Sequence, residues 1–380
     1  MTDIAATWMR GGTSKGVFFA EADLPRRAAE RDALLLRVIG SPDPYERQTD
    51  GLGGATSSTS KVVLVAPTFR DDCDIDYLFG AVSITDPLID YSGNCGNLTA
   101  AVAPFAIHAG LVPAVEPLTH VRMWQRNLGQ RIDAYVPVRH GRVLEQGAFQ
   151  EDGVPFPSAE IRLEYFGATA GTKAPAILPT GNVTDTLEVP GVGELEVTMV
   201  TAGNPTVFVR ATDIGLTGRE LPGSFNSKLR KLGAGLEAIR AHAAVAMGLA
   251  ETPEIATHDR PATPKLSWVA PPSGYRASSG REVAGNSIDV LARIMSMGKL
   301  HHAYTGTGSV ALGVAAAVPG SVVNRIARAL PGVPIRIGHV SGTLSVGAKL
   351  SQVGKRWVLD KALMSRSARR MMSGHVHLPD

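Results

Sequence analysis

Cysteine is scarce. Cys73 and Cys95 are the only two in 380 residues, too few for a disulfide framework, and no zinc-ligand spacing accompanies them. Aromatic residues make up 6%, too sparse to stack along a nucleic-acid strand. Charge of one sign is also lacking: 38 basic residues against 35 acidic ones leave a net +3, so nucleic acid is not an expected partner. The small positive excess suits an anionic small molecule. Long hydrophobic runs are missing too. The most apolar stretches, such as Val310 to Val318, are too short to cross a bilayer, so no membrane partner is expected. Met1 to Trp8 has neither the basic nor the apolar segment of a secretory leader, and a cytoplasmic location is the expectation.

What is present is a long, folding-competent chain whose glycines follow no repeat period. Its length exceeds one ordinary core, so two domains are expected. Strand signals rich in β-branched and aromatic residues recur at Val17-Phe18-Phe19, Val62 to Val65, Ile75 to Ile84, Val121 to Trp124, Arg131 to Val136, Leu187 to Val189 and Leu195 to Val200. Ala28 to Ile39 has the spacing of an amphipathic helix and stops before Gly40-Ser41-Pro42-Asp43-Pro44. From Gly93 to Leu111 the pattern is helical and apolar nearly all round, which predicts a helix buried at the centre of a domain.

The second half repeats this design. Asn94-Cys95-Gly96-Asn97-Leu98 is matched by Tyr304-Thr305-Gly306-Thr307-Gly308, each opening a helix of small apolar residues. Met9 to Ser14 ahead of one strand has a loose counterpart in Gly203-Asn204-Pro205-Thr206 ahead of another. Duplication with a pseudo-twofold accounts for this, although glycine-rich turns before helices are common and coincidence stays open. The loop-like segment 171–185, with Pro175, Pro179 and Gly181, divides the chain into expected domains 1–183 and 184–380.

Two glycine patterns do not qualify as nucleotide sites. Gly11 to Gly16 lacks the order and spacing of a P-loop, and Gly51-Leu52-Gly53-Gly54 lacks the third glycine of a dinucleotide fingerprint. Asp50 to Lys61 is the most unusual segment: glycine-rich backbone, then Thr56, Ser57, Ser58, Thr59 and Ser60, then a lysine entering a strand. Its hydroxyls and amides can hold a carboxylate, and a partly desolvated Lys61 can act as a base. A flexible loop ending in a solvated lysine is the alternative from composition. Cys95, at a helix mouth, lies at the positive end of a dipole that favours thiolate, while buried cysteines are also common inert filler. Cys73, among Asp71, Asp72 and Asp74, is expected to be structural. His301-His302 fits packing better than metal binding. His375 and His377 look like frayed tail, and no Ser-His-Asp arrangement is assignable. Arg293, read on a helical segment, suits either a bidentate clamp on a carboxylate or a surface ion pair.

These segments together carry a resemblance. Met9-Arg10-Gly11-Gly12-Thr13-Ser14-Lys15-Gly16, Gly40 to Tyr45, Asp50 to Lys61 and Gly93-Asn94-Cys95-Gly96-Asn97-Leu98 resemble the PrpF family. Gly203 to Val209 and Ser296 to Ala303 extend the match into the second half, so it spans essentially the whole chain. Thr49, Ala103 and Val340 depart from the family pattern, Thr49 beside the anion-binding loop. The resemblance implies an α+β, diaminopimelate-epimerase-like fold of two pseudo-symmetric domains, each a curved, mostly antiparallel sheet around a central helix, with the site in the cleft between them. It implies an isomerase that works without metal or organic cofactor on a small unsaturated tricarboxylate: 2-methylaconitate, 3-methylitaconate, aconitate or 4-oxalomesaconate.

Lys61 and Cys95 match the family's proposed acid–base lysine and its cysteine. Substrate binding is expected from Ser14, from Ser57, Ser58, Thr59 and Ser60, and from Ser92, Gly93, Asn94, Gly96 and Asn97. In the second half it is expected from Arg293, Gly306, Thr307, Gly308 and Ser309. Cysteine racemases of this fold carry Cys-Gly-x-Gly in each half, whereas here the second cysteine is replaced by Thr305. A two-thiol inversion at a saturated carbon is therefore not expected, and a lysine–thiol pair suits an allylic proton shift. Tyr45, the run Ala55 to Ser60, Ser92 and Leu98 to Ala101 look closer to the 2-methylaconitate isomerases than to the 4-oxalomesaconate enzymes. A non-catalytic binding protein is the reading from another class, against which retention of both Lys61 and Cys95 argues. The expected partner is the small polycarboxylate, and a homodimer is compatible with the reading.

Overall fold

The computed structural model describes residues 2–167 and 176–378; within the expected boundary segment, residues 171–175, including Pro175, lie outside the described residues. The chain divides into two compact units, one of Met1–Glu164 with Ser365–Asp380 and one of Tyr165–Met364. The fold is α+β and dominated by sheet.

In the first unit the order is β1 (Thr2–Gly11), β2 (Ser14–Ala20), α1 (Ala28–Ile39), β3 (Lys61–Pro67), β4 (Ile75–Val82), β5 (Ile89–Asp90), α2 (Gly96–His108), β6 (Leu118–Gln125), β7 (Gln130–Arg139), β8 (Arg142–Val143) and β9 (Ile161–Phe166). Through β1–β2–β3–β4–β6–β7 the pairings run antiparallel, parallel, antiparallel, parallel, antiparallel. Each parallel step is made through a helix, as such a crossover demands: α1 joins β2 to β3, and α2 lies between β4 and β6.

Side chains alternate across these strands. Val17, Phe19, Val62 and Leu64 pack with Leu35, Val38 and Ile39 of α1. The other face turns to α2: Phe18 meets Phe105 with ring centroids 5.6 Å apart, and the Tyr77 hydroxyl lies 3.0 Å from Thr99 Oγ1. That alternation puts Lys61, one residue before Val62, on the α2 side. Every residue of α2 from Gly96 to Ile107 is buried, as its apolar circumference requires.

The second unit contains β10 (Asp185–Val189), β11 (Gly193–Ala202), β12 (Asn204–Arg210), α3 (Pro222–Ala246), α4 (Pro253–Asp259), β13 (Lys265–Ala270), β14 (Tyr275–Arg276), β15 (Glu282–Val283), β16 (Val290–Ser296), β17 (Lys299–Leu300), α5 (Gly306–Ala317), α6 (Val322–Ile326), β18 (Ile335–His339), β19 (Gly342–Val353) and β20 (Arg356–Arg366), the last running past the unit's end. Along β11–β12–β13–β16–β18–β19 the pairings are again antiparallel, parallel, antiparallel, parallel, antiparallel. Crossover helices fall at the same two steps, with α5 as the buried one. The two units therefore repeat one topology.

Two local readings change. The segment bearing Arg293 is strand β16, not a helix. All seven of its residues are buried, because the strand lies between β13 and β18, and a strand buried on both faces lacks the alternation that would distinguish it from a helix. The tail read as frayed is β21 (Ala368–Leu378), which pairs antiparallel with the whole of β1 and so belongs to the first unit.

Candidate active site

Cys95 caps α2. Its backbone is extended (φ −112°, ψ 95°) and its Sγ accepts the Leu98 N–H at 3.5 Å, the part an oxygen plays in an ordinary N-cap. Asn94 fixes the turn: its Oδ1 accepts the Cys95 N–H at 2.7 Å, and its Nδ2 donates to Tyr77 Oη at 3.0 Å and Thr99 Oγ1 at 3.2 Å. Among the described residues the N–H groups of Gly96 and Asn97 have no protein partner. Two open amides at a helix N-terminus are an anion site in the making.

Strand β2 brings the thiol and the lysine to one surface. Ser14 Oγ lies 3.9 Å from Cys95 Sγ. Two residues on, and on the same strand face about 7 Å away, Gly16 lies against Lys61. A Cβ built on Gly16 would stand 2.8 Å from Lys61 O, 2.9 Å from Leu98 Cδ1 and 3.2 Å from Lys61 Cβ, so only glycine lets β2 come this close. Lys61 is 8% exposed, and its Nζ sits 5.0 Å from the Phe79 ring centroid. No carboxylate or hydrogen-bond acceptor engages that amine among the described residues. Gly12, at φ +50°, turns β1 into β2 against Asn97, whose Nδ2 donates to Thr13 Oγ1 at 3.0 Å.

The hydroxyl-rich loop is less open than its sequence suggests. Thr56 Oγ1 bonds Ser58 Oγ at 3.0 Å and Thr59 Oγ1 at 2.8 Å, and Ser58 O accepts the Lys15 N–H at 3.0 Å. Ser60 Oγ donates to Gln48 Oε1 at 2.7 Å; the same oxygen takes the Ala55 N–H at 2.8 Å, while Gln48 Nε2 donates to Ser41 Oγ at 2.8 Å. Buried Gln48 thus shapes the loop from outside it, and no local sequence signal marks it. Ser57 is half-buried, Gly93 is buried, and the Ser92 N–H donates to Asp90 Oδ1 at 2.7 Å.

In the second unit Thr305 caps α5, accepting the Gly308 N–H at 3.1 Å, and Ser309 Oγ donates to Gly306 O at 2.7 Å. Thr307 is buried in the same turn. Lys265 opens β13 as Lys61 opens β3, and its Nζ donates to Ser296 Oγ at 3.2 Å. The repeat therefore keeps a lysine but not a thiol. Lys265 went unnoticed in the sequence, where its signal was a lysine beginning an apolar strand. Arg293 lies on the face of β16 opposite Ile294, the neighbour of Gly308 in α5. It is fully buried, with Nε on Glu220 O at 2.8 Å and Nη1 on Ala292 O at 2.9 Å; burial lowers its pKa to about 10. That geometry ties strands together and does not place the guanidinium at the α5 turn.

Among the described residues no three His, Cys, Asp or Glu side chains group as metal ligands, and no helix is long and apolar enough to cross a membrane. A buried amine that opens β3 and a thiol that caps α2, each against β2, are groups able to take and give protons, and the fold that carries them is shared with solved racemases. A solved probable proline racemase from Agrobacterium radiobacter superposes with a TM-score of 0.57 at 13% identity, covering 99% of this chain and 93% of that one, a likeness of fold alone.

The chain belongs to the PrpF family: the family model described as PrpF protein matches residues 1–379. A 2-methyl-aconitate isomerase of Shewanella oneidensis is 52% identical over 99% of this chain and 97% of its own length. A crystal structure of a methylitaconate-delta-isomerase superposes with a TM-score of 0.77 at 40% identity, over 99% of this chain and 95% of that one.

Proposed function

We propose that this chain isomerises 2-methylaconitate between its cis and trans forms by allylic proton transfer, with Lys61 and Cys95 as the acid–base groups. The observation that carries the reading is the meeting of both groups on β2 in a chain 52% identical, end to end, to a 2-methyl-aconitate isomerase.

Lys61, as neutral amine, takes a proton from the carbon γ to a carboxylate. The C–H electron pair passes into the conjugated system as a dienolate, and the bond between the former alkene carbons gains single-bond character. Rotation and return of the proton to the same carbon give the geometric isomer. Return to the far carbon, from the Cys95 thiol, moves the double bond instead. The open amides of Gly96 and Asn97 suit a carboxylate whose charge grows as the dienolate forms. Double-bond migration is the second reading, favoured by the 40% identity to the methylitaconate isomerase, and it uses the same pair. Both readings go with a cytoplasmic protein and with a homodimer, whose mass light scattering checks.

Incubation with 2-methyl-trans-aconitate in deuterium oxide, beside aconitate, itaconates and 4-oxalomesaconate, tests the proposal. Isomer formation with deuterium entering the γ carbon is expected, and both should disappear in Lys61→Ala. Full activity in that variant would overturn the assignment.

A further inference from the structure

Asn97 stands in the first turn of α2, two residues after the thiol. Its amide has two ends of similar shape and opposite chemistry, and Arg366 decides which end faces where. Arg366 is 4% exposed and its Nε donates to Asn97 Oδ1 at 3.1 Å. A guanidinium only donates, so the carbonyl end must turn toward it. The Nδ2 end is left to donate to Thr13 Oγ1 at 3.0 Å and Ser14 Oγ at 3.5 Å. Ser14 Oγ then accepts, from the amide and from the Cys95 thiol 3.9 Å away. Once that thiol gives up its proton the sulfur can only accept, and the Ser14 hydrogen is free to turn to it. With the amide reversed, the Ser14 hydroxyl would donate to the amide oxygen and turn from the sulfur.

Arg366 is ion-paired, without a hydrogen bond, to a buried carboxylate. Glu151, 6% exposed, places Oε1 3.4 Å from Arg366 Nε, while its Oε2 accepts the Ser367 N–H at 3.0 Å and the Ser367 hydroxyl at 2.9 Å. Arg10 Nη1 reaches Ser367 O at 3.2 Å and Ser367 Oγ at 3.0 Å. Burying an ion pair is unfavourable compared with apolar packing of the same volume, so packing alone does not account for this one.

We propose that Arg366, held by Glu151, is a positioning residue for the reaction: it fixes the Asn97 amide and, through Ser14, the hydrogen presented to Cys95. The inference rests on the reading that Cys95 exchanges a proton with substrate. Arg366→Gln, Arg366→Lys and wild type are compared by kcat and KM on 2-methylaconitate, and by the iodoacetamide alkylation rate of Cys95 followed by peptide mapping. Arg366→Gln is expected to slow alkylation at neutral pH and lower kcat, each about five- to tenfold, with KM within about twofold. Arg366→Lys, still an obligate donor, should recover most of both. If Arg366→Gln does not fold, Asn97→Asp keeps an acceptor for Arg366, sets another against Ser14, and should show the same slow alkylation. A folded Arg366→Gln or Asn97→Asp that alkylates at the wild-type rate overturns the proposal, whatever its kcat. Should wild type leave every tricarboxylate unchanged, the functional reading falls, and the alkylation arm still decides the positioning.

Discussion

Replacing Gly16 by alanine probes the contact that joins β2 to Lys61. The added Cβ meets Lys61 O at 2.8 Å, a backbone atom held in the sheet by the pairing of Val17 with Val62. Restoring ordinary contact needs a shift of roughly half an ångström, which a close-packed interior resists. Overpacking of this kind destabilises by about 1–3 kcal/mol. The backbone at Gly16 is not left-handed, so alanine returns about 0.4–1 kcal/mol through the unfolded chain. A net loss of about 1–2 kcal/mol follows, leaving the protein folded at 25 °C. Catalysis should suffer more, because a misplacement of about 1 Å costs on the order of a hundredfold; half of that predicts roughly a tenfold fall in kcat. Urea unfolding and steady-state kinetics measure the two effects. Gly374→Ala, with no atom within 4 Å of its new methyl, is the control and should leave both unchanged. Wild-type stability and kcat in Gly16→Ala would refute the close-approach reasoning.

Further outcomes follow from other parts of the molecule. Burial opposes ionisation of Asp289, but hydrogen bonds from Arg336 outweigh it and hold the carboxyl below its usual 3.8. Its stabilisation is therefore present above that value and lost as pH falls through the lower folded one. Asp289→Asn should lose about 1–2 kcal/mol at pH 7, because Arg336 is half exposed, and the gap to wild type should close in acid urea titrations. The Cys73 thiol is pushed up to about 11, by burial first and then by Asp72, so peptide mapping should find it unalkylated at pH 8 and reacting only as pH nears 11. Gln48→Ala strands the Ser60 hydroxyl and the Ala55 N–H; it should cost about 1–3 kcal/mol and raise KM more than it lowers kcat.

Much of the core was legible because its signals are local. The small, apolar circumference of α2 and α5 and the turns before them announced two buried helices, and the strand pairing order is the same in both units. Cys95 at a helix mouth was likewise readable from its flanking glycines. What escaped depended on distant partners. Gln48 reaches Ser60 from twelve residues upstream, Arg366 reaches Asn97 from the far end of the chain, and neither contact leaves a pattern in the sequence. Arg293 misled because a strand buried on both faces loses its alternation. The hydroxyl run was read as open chelating surface, whereas Thr56, Ser58, Thr59 and Ser60 spend bonds on one another and on Gln48.

The return of the last strand to the first unit has a consequence for biosynthesis. Residues 165–364 form a contiguous unit, complete once they leave the ribosome, but Met1–Glu164 must wait for Ser365–Asp380. At about 5–20 residues per second, the early segment stays unfinished for roughly 10–40 s, without β21 beside β1 and without Arg366 beneath Asn97. Premature termination just after residue 364 would thus release a chain whose later-made unit is whole and whose first unit lacks both β21 and the Arg366 contact to Asn97.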